Sequence, residues 1–161
     1  MALIFLALLL LALAWPVVAV GAAVLVSLAA LALRDARATQ AVPRMLTRAG
    51  WLLTGGAALT ACAAYGYGLR TTTFGAVTDP DDRCGLARPD LYGYGHRGPD
   101  DGSSGMWPLR DTTCGPDLVP GFVNPLVAGS AALFVALTVI MIVVRIRARR
   151  RLPSASRGRV G

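Results

Sequence analysis

The 161 residues leave room for one domain or for a few membrane spans with their loops, and 55% of them are hydrophobic against 16% charged. A water-soluble domain of this size carries about a quarter charged residues, and the mean hydropathy here is +0.56, so composition argues against an ordinary soluble globule. The net charge of +7 is the balance of sixteen basic and nine acidic residues, all of them Arg and Asp.

The first apolar segment is residues 2–33, without one charge. A straight helix of that length would reach about 48 Å at 1.5 Å per residue, well beyond a hydrocarbon core of about 30 Å. Pro16 removes a backbone donor and predicts a kink or break there. The preferred reading is one kinked span with an interfacial apolar extension. The alternative is a re-entrant hairpin turning at Trp15-Pro16. Residues 1–4 contain no Arg and the apolar run exceeds the core of a secretory signal, so a cleaved leader is not expected.

Residues 34–48 form a basic loop, with Arg34, Arg37, Arg44 and Arg48 against Asp35. Residues 49–69 are the second predicted span and residues 121–144 the third, each long enough to cross as a helix. Between them, residues 70–120 are rich in Gly and Pro, which disfavours long helices; short strands are expected around Asp90–Tyr94 and Met106–Arg110. Residues 145–161 are an Arg-rich tail. The three hydrophilic segments carry +3, −3 and +7. Short Arg-rich segments stay in the cytoplasm, so loop 34–48 and the tail are expected inside the cell membrane and loop 70–120 outside. Trp51 falls at the inner boundary of the second span and Tyr65 and Tyr67 at the outer one, where aromatic belts form.

The outer loop has too few aliphatic residues to order itself unaided. Cys84 and Cys114 are its only cysteines, and its side of the membrane is the oxidising one, so a disulfide is expected. Closing about 30 residues stabilises a loop by roughly 3–4 kcal/mol on chain-entropy reasoning. Cys62 reads as a small packing residue. The fold class expected is thus an all-α membrane protein: three transmembrane helices and one disulfide-closed extracytoplasmic loop.

Chemistry finds little support. A thiol oxidoreductase wants a C-x-x-C pair, and the chain has none. Cys84, Cys114 and His96 do not follow a zinc spacing, and the Asp clusters at 79–82 and 100–101 do not follow an EF-hand spacing. His96, the only histidine, reads as an exposed turn residue. No catalytic set, cofactor or metal is expected. The apolar segments contain no Asp, Glu, His, Lys or Arg, whereas coupled carriers keep such groups inside the bilayer.

Small residues recur every four positions at Gly50, Thr54, Ala58, Cys62 and Gly66, the pattern by which membrane helices approach closely. The Arg tail suits anionic lipid headgroups, and a nucleic-acid partner is not expected. The run Cys114-Gly-Pro-Asp-Leu-Val-Pro-Gly-Phe-Val-Asn-Pro125, with the Cys84/Cys114 pair and Trp107-Pro108, resembles small uncharacterised integral membrane proteins of high-GC actinobacteria over about residues 65–145. That resemblance implies no activity and no functional residue. The function expected is a non-catalytic interaction or accessory subunit that meets a partner membrane protein, or a second copy of itself, through Tyr92, Tyr94, Arg97 and Trp107. A small oligomeric pore or transporter subunit is the alternative.

Overall fold

The computed structural model describes residues 2–39, 42–72, 84–86, 88–90 and 102–150. Three long helices dominate: α1 (Ala2–Thr39), α2 (Val42–Thr71) and α3 (Val123–Arg150). Between α2 and α3, β1 (Ser104–Met106) and β2 (Leu109–Asp111) form a two-stranded antiparallel hairpin.

Within α1, Pro16 sits in an unbroken helix. The helix-forming Leu and Ala before Pro16 and the unbroken apolar run after it continue the ladder past the one donor that proline removes, and the hairpin alternative at Trp15-Pro16 is not what forms. At 38 residues the helix is about 57 Å long. The described residues of the segment read as loop 34–48 are helical, since α1 continues to Thr39 and α2 begins at Val42; residues 40–41 lie outside the described residues. The length rule measures hydrocarbon thickness, whereas Arg, Ala, Leu and Met carry a helix on into water. Pro43 is tolerated because it lies in the first turn of α2. Likewise α3 starts at Val123 and runs to Arg150, later at both ends than the apolar run 121–144.

Helix α2 is antiparallel to α1 and to α3 and packs against both, while α1 and α3 barely touch each other. Close approaches mark each seam. A Cβ placed on Gly66 would meet the Leu11 carbonyl oxygen at 2.5 Å and Trp15 Cβ at 3.1 Å, and one on Gly56 would meet Val26 at 3.0 Å. Toward α3, Gly50 lies against the Met141 thioether and Gly68 against Val123. Among the described residues, two helices are long and apolar enough to cross a membrane: Leu3–Asp35 of α1 and Val123–Arg149 of α3. Their apolar windows are only 6% and 17% buried. The middle helix is less apolar because it meets its neighbours through Gly, Thr and Ala.

This arrangement brings the end of α1, the start of α2 and the end of α3 together at one end of the bundle. Arg34, Arg48, Arg145, Arg147 and Arg149 all belong to that end. At the opposite end Leu69, Leu109, Val119, Val123 and Val127 form the buried cluster with Ala12 and Ala64. Leu69 and Leu109 are almost fully buried, each worth about 1.5–3 kcal/mol relative to exposure.

Candidate interaction surface

Hairpin β1–β2 pairs Ser104 with Asp111, Gly105 with Arg110 and Met106 with Leu109. Its two-residue turn is Trp107-Pro108, with a cis peptide bond, as type VI turns have. The sequence expectation of a single strand over Met106–Arg110 therefore becomes a strand end, a turn and a strand start, because the Trp-Pro step reverses the chain.

Three attachments hold this hairpin on the helices, and a disulfide closes the segment around it. Leu109 plugs the buried cluster from above. The Asn124 side chain, in the first turn of α3, accepts the Leu109 N–H at 2.9 Å and donates to the Leu109 carbonyl at 2.9 Å. The Tyr65 hydroxyl on α2 donates to the Met106 carbonyl at 3.0 Å. Finally, Cys84 and Cys114 are disulfide-bonded with Cα atoms 5.3 Å apart, and both are buried. The bridge expected from the cysteine count is thus present.

The strand exit is organised by two carboxylates. Asp111 is fully buried and accepts from the Thr113 N–H at 3.2 Å and from the Thr113 hydroxyl. Asp117 accepts the N–H of Asp111 and of Val119, each at 3.0 Å, and Gly115 takes a positive φ of 88° between them. This is the left-handed region where a side chain would be strained. Near the disulfide, Arg88 donates to both Asp90 oxygens at 3.0 and 2.8 Å, and that hydrogen bonding holds the Asp90 carboxyl below its ordinary value.

What the clamped hairpin presents is apolar. Trp107 is 59% exposed and Met106 50%, and Phe122, just before α3, is 56% exposed. Phe122 stacks on Tyr67 at 5.9 Å, and Tyr67 meets Trp15 edge-on at 5.0 Å. Below this aromatic set an open groove of about 620 Å³ runs between α1 and the start of α3, with α2 as its floor. Ala19, Ala22, Ala23, Ala63 and Ala64 are five of its twelve lining residues.

Of the residues read as a recognition set, Trp107 is on the exposed tip. Tyr92, Tyr94 and Arg97 lie outside the described residues, as do His96 and the Asp clusters at 79–82 and 100–101. In the four-residue stripe, Gly50 faces α3, Thr54 is buried, Ala58 is half-buried, and Gly66 faces α1. Cys62 is exposed. At 3.6 residues per turn a step of four overshoots by about 40°, so the stripe winds from one neighbour to the other through open surface.

The hydroxyls in the helices are largely spent on their own backbone. Thr54, Thr60 and Thr138 donate to the carbonyls of Gly50, Gly56 and Phe134 at 2.9, 2.8 and 2.7 Å. Asn124, Asp111, Asp117 and Tyr65 were not singled out from the sequence as organisers. The Val-Asn-Pro run at the head of the third apolar segment was the one available signal. Comparisons with known protein families, with curated proteins and with solved structures each find no match.

Proposed function

We propose that this chain is a three-helix integral membrane protein and acts as a non-catalytic accessory subunit. Its clamped hairpin faces outward and recognises a membrane-protein partner. The observation that carries the reading is the exposed Trp107–Met106 tip on a hairpin fixed by Asn124, Tyr65 and Leu109, in a segment that the disulfide closes. A large aromatic held rigidly costs little entropy on binding, and such residues dominate interface energetics. The alanine-lined groove below it gives a partner helix a smooth bed, since small residues let backbones approach.

Membrane insertion is supported by the exposed apolar surfaces of α1 and α3, which in water would leave 13 large hydrophobic side chains of α1 and 10 of α3 solvated. The gathering of Arg at the opposite end supports a cytoplasmic assignment for that end. Against a pore, the helix hydroxyls are bonded back to their own carbonyls and offer little to line an aqueous path.

The test is photo-crosslinking in intact membranes from a reactive residue placed at Met106. A discrete adduct with one membrane protein, or with a second copy of the chain, is expected. Trp107→Ala should weaken it severalfold while leaving insertion and the Cys84–Cys114 bridge intact. Adducts with lipid alone would make the tip an interfacial anchor and end the recognition reading.

A further inference from the structure

At the basic end, a cleft of about 290 Å³ opens between α2 and α3, lined by Trp51, Ile142, Arg145, Ile146 and Arg149. Arg145 and Arg149 are four residues apart, so they project from one face of α3, one turn above the other. They continue the row that begins at Met141, which packs on Gly50 of α2. Both are exposed, and no carboxylate among the described residues pairs with either. Ile142 and Ile146, each about half exposed, form the apolar wall, and the half-exposed Trp51 ring closes the cleft from α2.

We propose that this cleft binds one anionic phospholipid, with its phosphate on Arg145 and Arg149 and an acyl chain against Ile142, Ile146 and Trp51. The proposal rests on the membrane reading above and narrows it: an attraction spread over the whole Arg-rich tail becomes a defined site. Three features point the same way. Guanidinium groups present a donor fork that matches phosphate oxygens. Indoles sit at headgroup depth. Along α3 the lining runs Ile142, Arg145, Ile146 and Arg149, so the residue nearest the apolar run is aliphatic and the one nearest the tail is charged, the polarity of a lipid's chain and headgroup.

The experiment uses the full chain carrying Trp15→Phe and Trp107→Phe, so that Trp51 is the sole indole, reconstituted in mixed vesicles. Quenching of Trp51 by brominated phosphatidylglycerol is compared with quenching by brominated phosphatidylcholine. At about 1 kcal/mol per Arg near an anionic surface, the two arginines should favour phosphatidylglycerol at Trp51 by roughly tenfold or more. Arg145→Gln/Arg149→Gln should abolish the preference, while the charge-matched Arg157→Gln/Arg159→Gln retains it. Equal quenching by the two lipids overturns the proposal, and so does an equal loss in both double variants, which would mean diffuse attraction. Displacement of phosphatidylglycerol by inorganic phosphate would make this a soluble-anion site and also overturns it. Absence of quenching by either lipid would place Trp51 outside any bilayer, which contradicts the membrane reading itself.

Discussion

Gly66→Ala should loosen the α1–α2 seam, because nothing at that point can yield cheaply. The added methyl would sit 2.5 Å from the Leu11 carbonyl oxygen, 3.2 Å from its carbon and 3.1 Å from Trp15 Cβ. Two of these are backbone atoms of a neighbouring helix, so α1 must move as a whole. Overpacking of this kind costs about 1–3 kcal/mol, offset by the ~1 kcal/mol that Ala gains over Gly in a helix. Gly129 is the control. It lies in α3 with nothing within 4 Å of its would-be Cβ, so Gly129→Ala keeps only the gain. The helix gain is common to both variants, so they should differ by the overpacking cost alone, about 1–3 kcal/mol, or roughly 2–12 °C in melting temperature for a chain of this size. Thermal unfolding of the detergent-solubilised protein, followed by intrinsic fluorescence, measures this directly, since Trp15 lies against the altered site. Gly50→Ala should fall near wild type, because it meets only the thioether end of the flexible Met141 side chain. Cys62→Ile should also do little, at an exposed position. Equal melting of the Gly66 and Gly129 variants would refute the seam.

The outer loop gives two further expectations. Cys84→Ser/Cys114→Ser removes a cross-link with a sequence separation of 30, at a cost of about 3–4 kcal/mol. The loop should become sensitive to added protease, and in the wild type non-reducing peptide mapping should find the two cysteines linked and Cys62 free. Asn124→Ala strips both Leu109 backbone groups of their partner, costing about 2–4 kcal/mol in unsatisfied polar atoms, and should free the hairpin for proteolysis without disturbing the helices. Protection unchanged in this variant would mean that Tyr65 and Leu109 suffice.

The long helices were legible because charge-free apolar runs leave few alternatives, and the disulfide because loop 70–120 holds just two cysteines. Helix ends were not, since Arg34–Thr39 and Val42–Arg48 are good helix formers in a stretch read for charge alone. The small-residue stripe divides between two neighbours. Its even spacing suggested one face, whereas 40° of drift per step turns Gly50 toward α3 and Gly66 toward α1 and leaves Cys62 exposed. Asn124 escaped notice because its role is a bond to a backbone fifteen residues away, which no local pattern records. Trp107 could be singled out as an aromatic in a polar loop, but not as the tip of a turn.

Topology is the most direct test of the whole account. Paired reporter fusions after residues 40, 95 and 155 should show residue 95 outside the membrane and residues 40 and 155 in the cytoplasm. That result follows from three spans with the hairpin end outward and the Arg-rich end inward. A cytoplasmic residue 95, or residues 40 and 155 on opposite sides, would contradict it.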